Sequence, residues 1–500
     1  METDAEKKLG FPALTAMVIG SMVGAGIFMI PTRFAGVTGV YGSLIAWAIA
    51  GAGMLMLAFV FQALAVRQPT LNAGLFAYAK AGFGNYVGFT VAIGFWASAC
   101  AGNVTYLVLI KSTIGQVIPM FGDGDTIPAI IGSSVLIWLY FILILRGTQG
   151  AAIINTIVTV AKVIPIITFI VLLIVHFDID TFTSNLAGMY IDPPAPDPNF
   201  SPDIYENGSI VPDAAEPYTL FEQVSKTMMV TVFVFLGIEG ASMYSRFAKT
   251  RKMVGSATVL GFISVLCLLI MVSVLPFGVL SQAEIAGMSQ PSLAGLMQAL
   301  IGTGGGIFIS VGLMISVLGA YLAWSLMAAE VLFEAAKSND TPIFLKKENK
   351  AGVPKNALIL SAIMTNVILI ATYFSEEALN FALDLTSALA LLPFFLSALY
   401  ALKIAIQKDG YDGIGSGIRT REIIVSAIAT VYTLFLLYIA GIQFLPLCCL
   451  ILAPATALYF RARSYQKLNI FTNGEKVVFG VLCAGFVIAI VGLATGFISL

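Results

Sequence analysis

The chain has 500 residues, 59% of them hydrophobic and 11% charged, with a formal net charge of -1. Soluble domains carry about a quarter charged residues, and one this apolar would expose aggregating patches; lipid removes that objection, because apolar side chains can face outward. The near-zero charge excludes the bulk basic surface of a nucleic-acid binder, and five cysteines in apolar runs with a single histidine form neither a disulfide framework nor a metal cluster.

A spanning helix needs about 20 mostly apolar residues. Thirteen segments qualify, near 11–30, 40–65, 85–110, 127–145, 152–176, 223–245, 255–280, 304–333, 356–374, 381–406, 422–441, 443–460 and 477–499. The opening METDAEKKLG lacks a basic region followed by a short apolar core and a cleavage site, so the first segment is expected to remain as a span. With the N-terminus placed in the cytoplasm, 22 of the 26 Lys and Arg fall inside. Arg33 and Lys111 then fall outside, and Lys162 and Lys226 lie within or at the edge of spans. This is the bias expected of cytoplasmic loops. The same topology puts the C-terminus outside. The stretch 177–222 carries seven prolines from Pro193 to Pro217 and reads as an irregular outer loop. Its Asn-x-Ser triplets at Asn199 and Asn207 carry no meaning in a bacterium. No GxxxxGK[ST] phosphate loop occurs, so ATP hydrolysis is not expected, and any transport would run on gradients.

Charges inside a bilayer are costly and usually functional. Glu239 sits midway along the sixth span, Lys162 midway along the fifth, and Asp384 near the outer end of the tenth. Glu330 and Glu334 lie at the end of the eighth, near water. The first span reads Gly-Ser-Met-Val-Gly-Ala-Gly-Ile-Phe over 20–28. Its glycines free the backbone to leave helical geometry, though small-xxx-small packing would place Gly20 and Gly24 equally well. A broken helix would offer N–H groups to a carboxylate and carbonyls to an ammonium. The sixth span repeats the pattern, with Gly237 and Gly240 around Glu239. Corresponding interruptions in two halves point to an inverted repeat with a midplane site.

The runs GSMVGAGIF at 20–28, FVFLGIEGAS at 233–242 and GNVTY at 102–106, with the stretch Glu330–Pro342, resemble the amino acid–polyamine–organocation (APC) superfamily. Within it, the chain resembles the basic amino acid/polyamine antiporter family, with the arginine:ornithine exchangers its most similar branch. The resemblance implies an all-α membrane fold, a five-plus-five inverted repeat with broken helices 1 and 6, and 12–13 transmembrane helices. It implies a transport core at 1–406 with repeats near 11–176 and 223–406, an extracellular loop at 177–222, and accessory spans at 407–500. By the same resemblance, Gly24, Ala25 and Gly26 receive the substrate carboxylate. Arginine/agmatine exchangers place Ser where Ala25 stands, so one hydroxyl contact is missing here. Met22 and Leu236 would offer carbonyls to the α-amino group or pack beside it, while Ser98, Ala99 and Asn103 line the side-chain pocket. Trp324 takes the place of an aromatic that stacks on a guanidinium. Phe233 stands where those relatives have a Trp gate, and Ser387 or Thr386 completes the pocket. Glu239 would be a proton-sensitive gate or an attractor of the cationic substrate. Lys162 would substitute for the sodium of ion-coupled members, making transport sodium-independent; snorkelling to an interface is the plainer alternative.

The expected activity is exchange of cationic amino acids, arginine for ornithine, by alternating access in a bacterial inner membrane, with lysine a further candidate substrate. A proton-coupled symporter and a lysine– or histidine–amine exchanger remain as alternatives. No cofactor and no metal are expected. The oligomeric state stays open, a homodimer being one candidate. Paired intramembrane aspartates, a Ser–His dyad and HExxH are absent from the spans, so an intramembrane enzyme is not expected.

Overall fold

In the computed structural model, helix α1 (Phe11–Met22) stops in mid-segment, and the chain resumes through a 3-10 turn at Gly26–Phe28 as α2 (Ile30–Ala35). Pro31 in the first turn of α2 presets the backbone for a fresh helix start, where its missing N–H costs nothing. The next helices are α3 (Val40–Arg67), the short α4 (Leu75–Phe83), α5 (Asn85–Gly115), α6 (Ile127–Leu145), α7 (Ala151–Val175) and α8 (Ile179–Ser184). A two-residue strand pair, Tyr205–Glu206 with Ser209–Ile210, follows. The second half opens with α9 (Leu220–Phe235), then α10 (Arg251–Val274), α11 (Gln282–Ala286), α12 (Ser292–Ile301) and α13 (Thr303–Lys337). It ends with α14 (Lys355–Ala371), α15 (Ala378–Gln407), α16 (Ser416–Tyr465) and α17 (Asn473–Thr495). The structure describes residues 11–71, 74–146, 151–188, 205–206, 209–210, 218–239, 251–375 and 377–498.

Helix starts are written into the chain. Thr219 and Glu222 form a capping box at the start of α9, as do Thr472 and Glu475 at α17; each satisfies amides that have no intrahelical partner. In lipid that satisfaction is mandatory, because no water replaces a lost partner.

Ten helices among the described residues are long and apolar enough to cross a membrane. They account for ten of the thirteen expected segments. The other three are the interrupted first and sixth segments and α7, whose expected bounds of 152–176 agree with 151–175 to a residue. Gly441, at φ +50° and ψ -152°, divides α16 where the expected spans 422–441 and 443–460 nearly touch. The two broken segments stand in corresponding positions of a five-plus-five inverted repeat. Helices α4, α11 and α12 were not anticipated, being too short to read as spans. The segment 177–222, expected as an outer loop, opens with the unpredicted α8; its prolines, Asn199 and Asn207 lie outside the described residues, as does Gly240 of the sixth segment.

Helix α5 is the pillar of the bundle, buried from Gly88 to Ile110 and packed by α13, α14, α15 and α4. Helix α15 packs against α5, α9, α3 and α16, and α1 lies on α10. Helix α17 is mostly exposed and leans chiefly on α16. Its outward face carries Val477, Val481, Val487 and Val491, the apolar surface a lipid neighbour requires.

Candidate functional site

The two helix breaks touch. Helix α9 ends at Phe235, and Leu236 leaves helical geometry at ψ 136°. Gly237 follows at φ +106°, a conformation an L side chain rarely adopts. A Cβ there would lie 2.4 Å from the Ser21 carbonyl oxygen and 3.3 Å from the Met22 nitrogen. Only glycine lets the sixth segment approach the end of α1 this closely. The Ser21 hydroxyl bridges the crossing, bonding the carbonyls of Val18 at 2.8 Å and Gly237 at 3.1 Å. Gly26 makes the reciprocal approach: a Cβ there would lie 2.5 Å from Val234 Cγ1 and 2.9 Å from Phe233 Cδ1. Phe233 thus sits against the first break, and Met22 and Leu236 flank the crossing.

Within the first break, the Gly24 N–H donates to the Met22 carbonyl at 2.9 Å. The 3-10 turn is closed by Phe28 N–H to Ala25 and Met29 N–H to Gly26, each 3.0 Å. Among the described residues, no hydrogen bond holds the N–H groups of Ala25, Gly26 and Ile27. Of the residues expected to meet the carboxylate, Gly24 has its N–H engaged within the break, whereas those of Ala25 and Gly26 are not, nor is that of the next residue, Ile27. Gly24 is partly exposed while Ala25 and Gly26 are buried, so accessible space reaches the break.

Charge is arranged around this crossing. The Gly237 N–H donates to both oxygens of the buried Glu239 carboxylate, 3.1 Å each. Glu239 thus places negative charge beside the carbonyl end of α9, while unbonded amides lie at the other break. Lys162 on α7 is 3% exposed and donates to the Gly20 carbonyl at 2.5 Å. That burial excludes snorkelling and ties α7 to the last turn of α1.

Helix α5 supplies the adjoining wall. Ser98, Gly102 and Tyr106 recur at i, i+4 and i+8, with Asn103 beside them. Asn103 donates to the Ser325 hydroxyl of α13 at 3.1 Å, and its Oδ1 is buried without a partner among the described residues. Trp324, one residue earlier, packs on Gly102, where a Cβ would lie 2.8 Å from its Cζ3. The Trp324 and Tyr106 rings meet edge to face at 5.9 Å. Tyr106 in turn presents its hydroxyl to Gly24, 3.3 Å from a Cβ built there. Gly24, Gly26, Phe233, Glu239, Asn103, Tyr106 and Trp324 are thereby linked around the crossing.

Three expected residues contribute differently. The Ser98 hydroxyl donates to the Thr386 carbonyl at 2.7 Å, and Ser387 to the carbonyls of Met229 at 2.9 Å and Leu383 at 3.1 Å. These hydroxyls pin α15 to α5 and α9. Ala99 is buried on α5. Tyr106 was not expected at the site, although it closes the GNVTY run on the same face as Asn103. Nor was a link between Arg33 and Asp384 expected. In the structure Arg33 Nη2 donates to both Asp384 oxygens at 3.1 Å, joining α2 to α15 beyond the site.

The family model described as "Amino acid permease" matches residues 9–447. An arginine/ornithine antiporter of Pseudomonas aeruginosa is 42% identical, covering 100% of both chains. An L-lysine transport protein of Corynebacterium glutamicum is 37% identical over 97% of this chain and 95% of its own. An arginine/agmatine antiporter of Chlamydia abortus is 35% identical over 91% and 90%. A multi-pass bundle with two touching helix breaks, matched by that model over most of its length, belongs to the amino acid permease family.

Proposed function

We propose that this chain is a secondary active antiporter exchanging cationic amino acids, arginine for ornithine, by alternating access at the crossing of its broken segments. The observation that carries the reading is the pairing of opposite polarities there. Unbonded amides at Ala25, Gly26 and Ile27 suit a carboxylate, and Glu239 with the end of α9 suits an ammonium. Met22, Leu236 and Phe233 enclose the head group. Asn103 and Trp324 receive the side chain, with Trp324 stacking on a guanidinium. Ser98, Ala99 and Ser387 hold the helices that shape the pocket. Arginine and ornithine side chains carry like charge, so one-for-one exchange moves no net charge and needs only concentration gradients. Buried Lys162 takes the place of a coupling cation, which makes transport sodium-independent.

Residues 1–406 are the transport core, 177–222 an extracellular loop, and 407–500 accessory spans. The N-terminus lies in the cytoplasm of a bacterial inner membrane, in keeping with the positive charge of the loops on that side. The chain carries out transport and no catalysis. The lysine transport relative favours a second reading in which lysine is also carried. Proteoliposomes preloaded with ornithine and offered labelled arginine, lysine, histidine or glutamate test the proposal. Uptake of arginine that requires internal ornithine, at one for one, is the expected result. Accumulation into empty vesicles driven by a proton gradient would instead establish a symporter.

A further inference from the structure

We infer that Tyr106 donates the hydroxyl that fixes the substrate carboxylate, and so makes this site select amino acids over the corresponding amines. The inference rests on the reading of the site given above. Three observations converge on it. First, the backbone amides of Ala25, Gly26 and Ile27 have no side-chain hydroxyl among them, because position 25 is alanine. Second, the Tyr106 hydroxyl stands 3.3 Å from where a side chain on Gly24 would begin, and Gly24 directly precedes that amide set in the chain. A side chain at position 24 would occupy the same space, which gives Gly24 a reason to be glycine. Third, the Tyr106 side chain is 3% exposed, yet its hydroxyl makes no hydrogen bond among the described residues. The hydroxyl itself is not sealed off: it reaches the accessible space beside the partly exposed Gly24, where a ligand atom can meet it.

The charge around the hydroxyl decides which ligand group it meets. A phenol donates its proton readily to an anion, and a donor bonded to a charged acceptor is worth roughly twice a neutral pair. The amides beside it offer more donors and no negative charge. A carboxylate therefore fits, and the substrate ammonium belongs at Glu239 across the crossing. The Tyr106 ring also lies edge to face on Trp324. The group that senses the carboxylate thus touches the ring proposed to hold the side chain, and a ligand lacking either end leaves one of the two unsatisfied.

Tyr106→Phe removes the hydroxyl and keeps the ring against Trp324, so the bundle should stay intact. Purified wild type and variant are titrated with arginine and with agmatine, which keeps the guanidinium and lacks the carboxylate. The variant is expected to bind arginine about 10- to 100-fold more weakly, the range for one hydrogen bond to a charged group. Agmatine affinity is expected to stay within about twofold, so the preference for arginine collapses. Unchanged arginine affinity overturns the inference. So does an equal loss for both ligands, which would mark Tyr106 as a packing residue. Failure of the wild type to bind arginine at all would instead sink the cationic-exchange reading, a distinct result read from the unmutated protein.

Discussion

Gly237→Ala tests the crossing on which the site depends. Gly237 has φ +106°, and holding an L residue in such a region costs about 1–3 kcal/mol. The new methyl would also lie 2.4 Å from the Ser21 carbonyl oxygen. Ordinary contact begins near about 3.5 Å, so one break must retreat from the other by about 1 Å. Both neighbours are backbone, so neither can swing aside. That retreat stretches the Ser21–Gly237 hydrogen bond of 3.1 Å, worth about 1 kcal/mol. Together the terms give a destabilisation of about 2–4 kcal/mol. Gly496→Ala is the matched control: its φ is +72°, but nothing lies within 4 Å of a Cβ there, leaving a cost of about 1 kcal/mol. Thermal unfolding in detergent and arginine titration are read on both variants. Gly237→Ala is expected to unfold earlier and to lose at least tenfold in arginine affinity, about 1.4 kcal/mol. If the two alanine variants behave alike in both assays, the close crossing is not what forms the site.

Lys162→Met removes the ammonium that bonds Gly20, and should lower the unfolding temperature and abolish exchange; wild-type exchange should be unaffected when choline replaces sodium, and a sodium requirement would refute the role given to Lys162. Glu239→Gln keeps an acceptor for the Gly237 N–H and removes the charge, so arginine and lysine affinities should fall at least tenfold, about 1.4 kcal/mol, while expression and folding persist; equal affinity would show that Glu239 does not attract the substrate. Trp324→Leu should weaken arginine about 2- to 30-fold, the range of a buried cation–π contact, and ornithine less, because a planar guanidinium stacks better than an ammonium. Arg33→Gln and Asp384→Asn should each destabilise the bundle, with the double variant milder than the sum by about 1–3 kcal/mol in a thermal-unfolding cycle. Strict additivity would mean that the Arg33–Asp384 pair joining α2 to α15 contributes nothing.

Much of the fold is legible in the amino-acid order, for a simple physical reason. A segment in lipid must close its own backbone hydrogen bonds, so length and hydropathy betray nearly every span. The breaks are legible too, because Gly24, Gly26 and Gly237 cluster in the middle of runs that are otherwise mostly apolar. Short helices such as α4 and α12 escape, since two to three turns of helix between spans do not have the length of a span. The site is legible in part. Charged residues in spans announce themselves, which exposes Glu239 and Lys162. Tyr106 does not, because a tyrosine in an apolar helix reads the same whether it packs or binds.

Composition along the chain is enough to place this protein in lipid, to locate its spans, and to mark the two that cannot run unbroken. Those properties follow from local chemistry against a uniform apolar solvent. Which atoms remain free to bind is a matter of tertiary packing. The Gly24 N–H is engaged while that of Ile27 makes no hydrogen bond among the described residues, the Ser98 and Ser387 hydroxyls are tied to neighbouring backbone, and Arg33 finds Asp384. Hydrogen-bond partners separated by hundreds of residues are set by how helices cross, and no spacing along the chain records that.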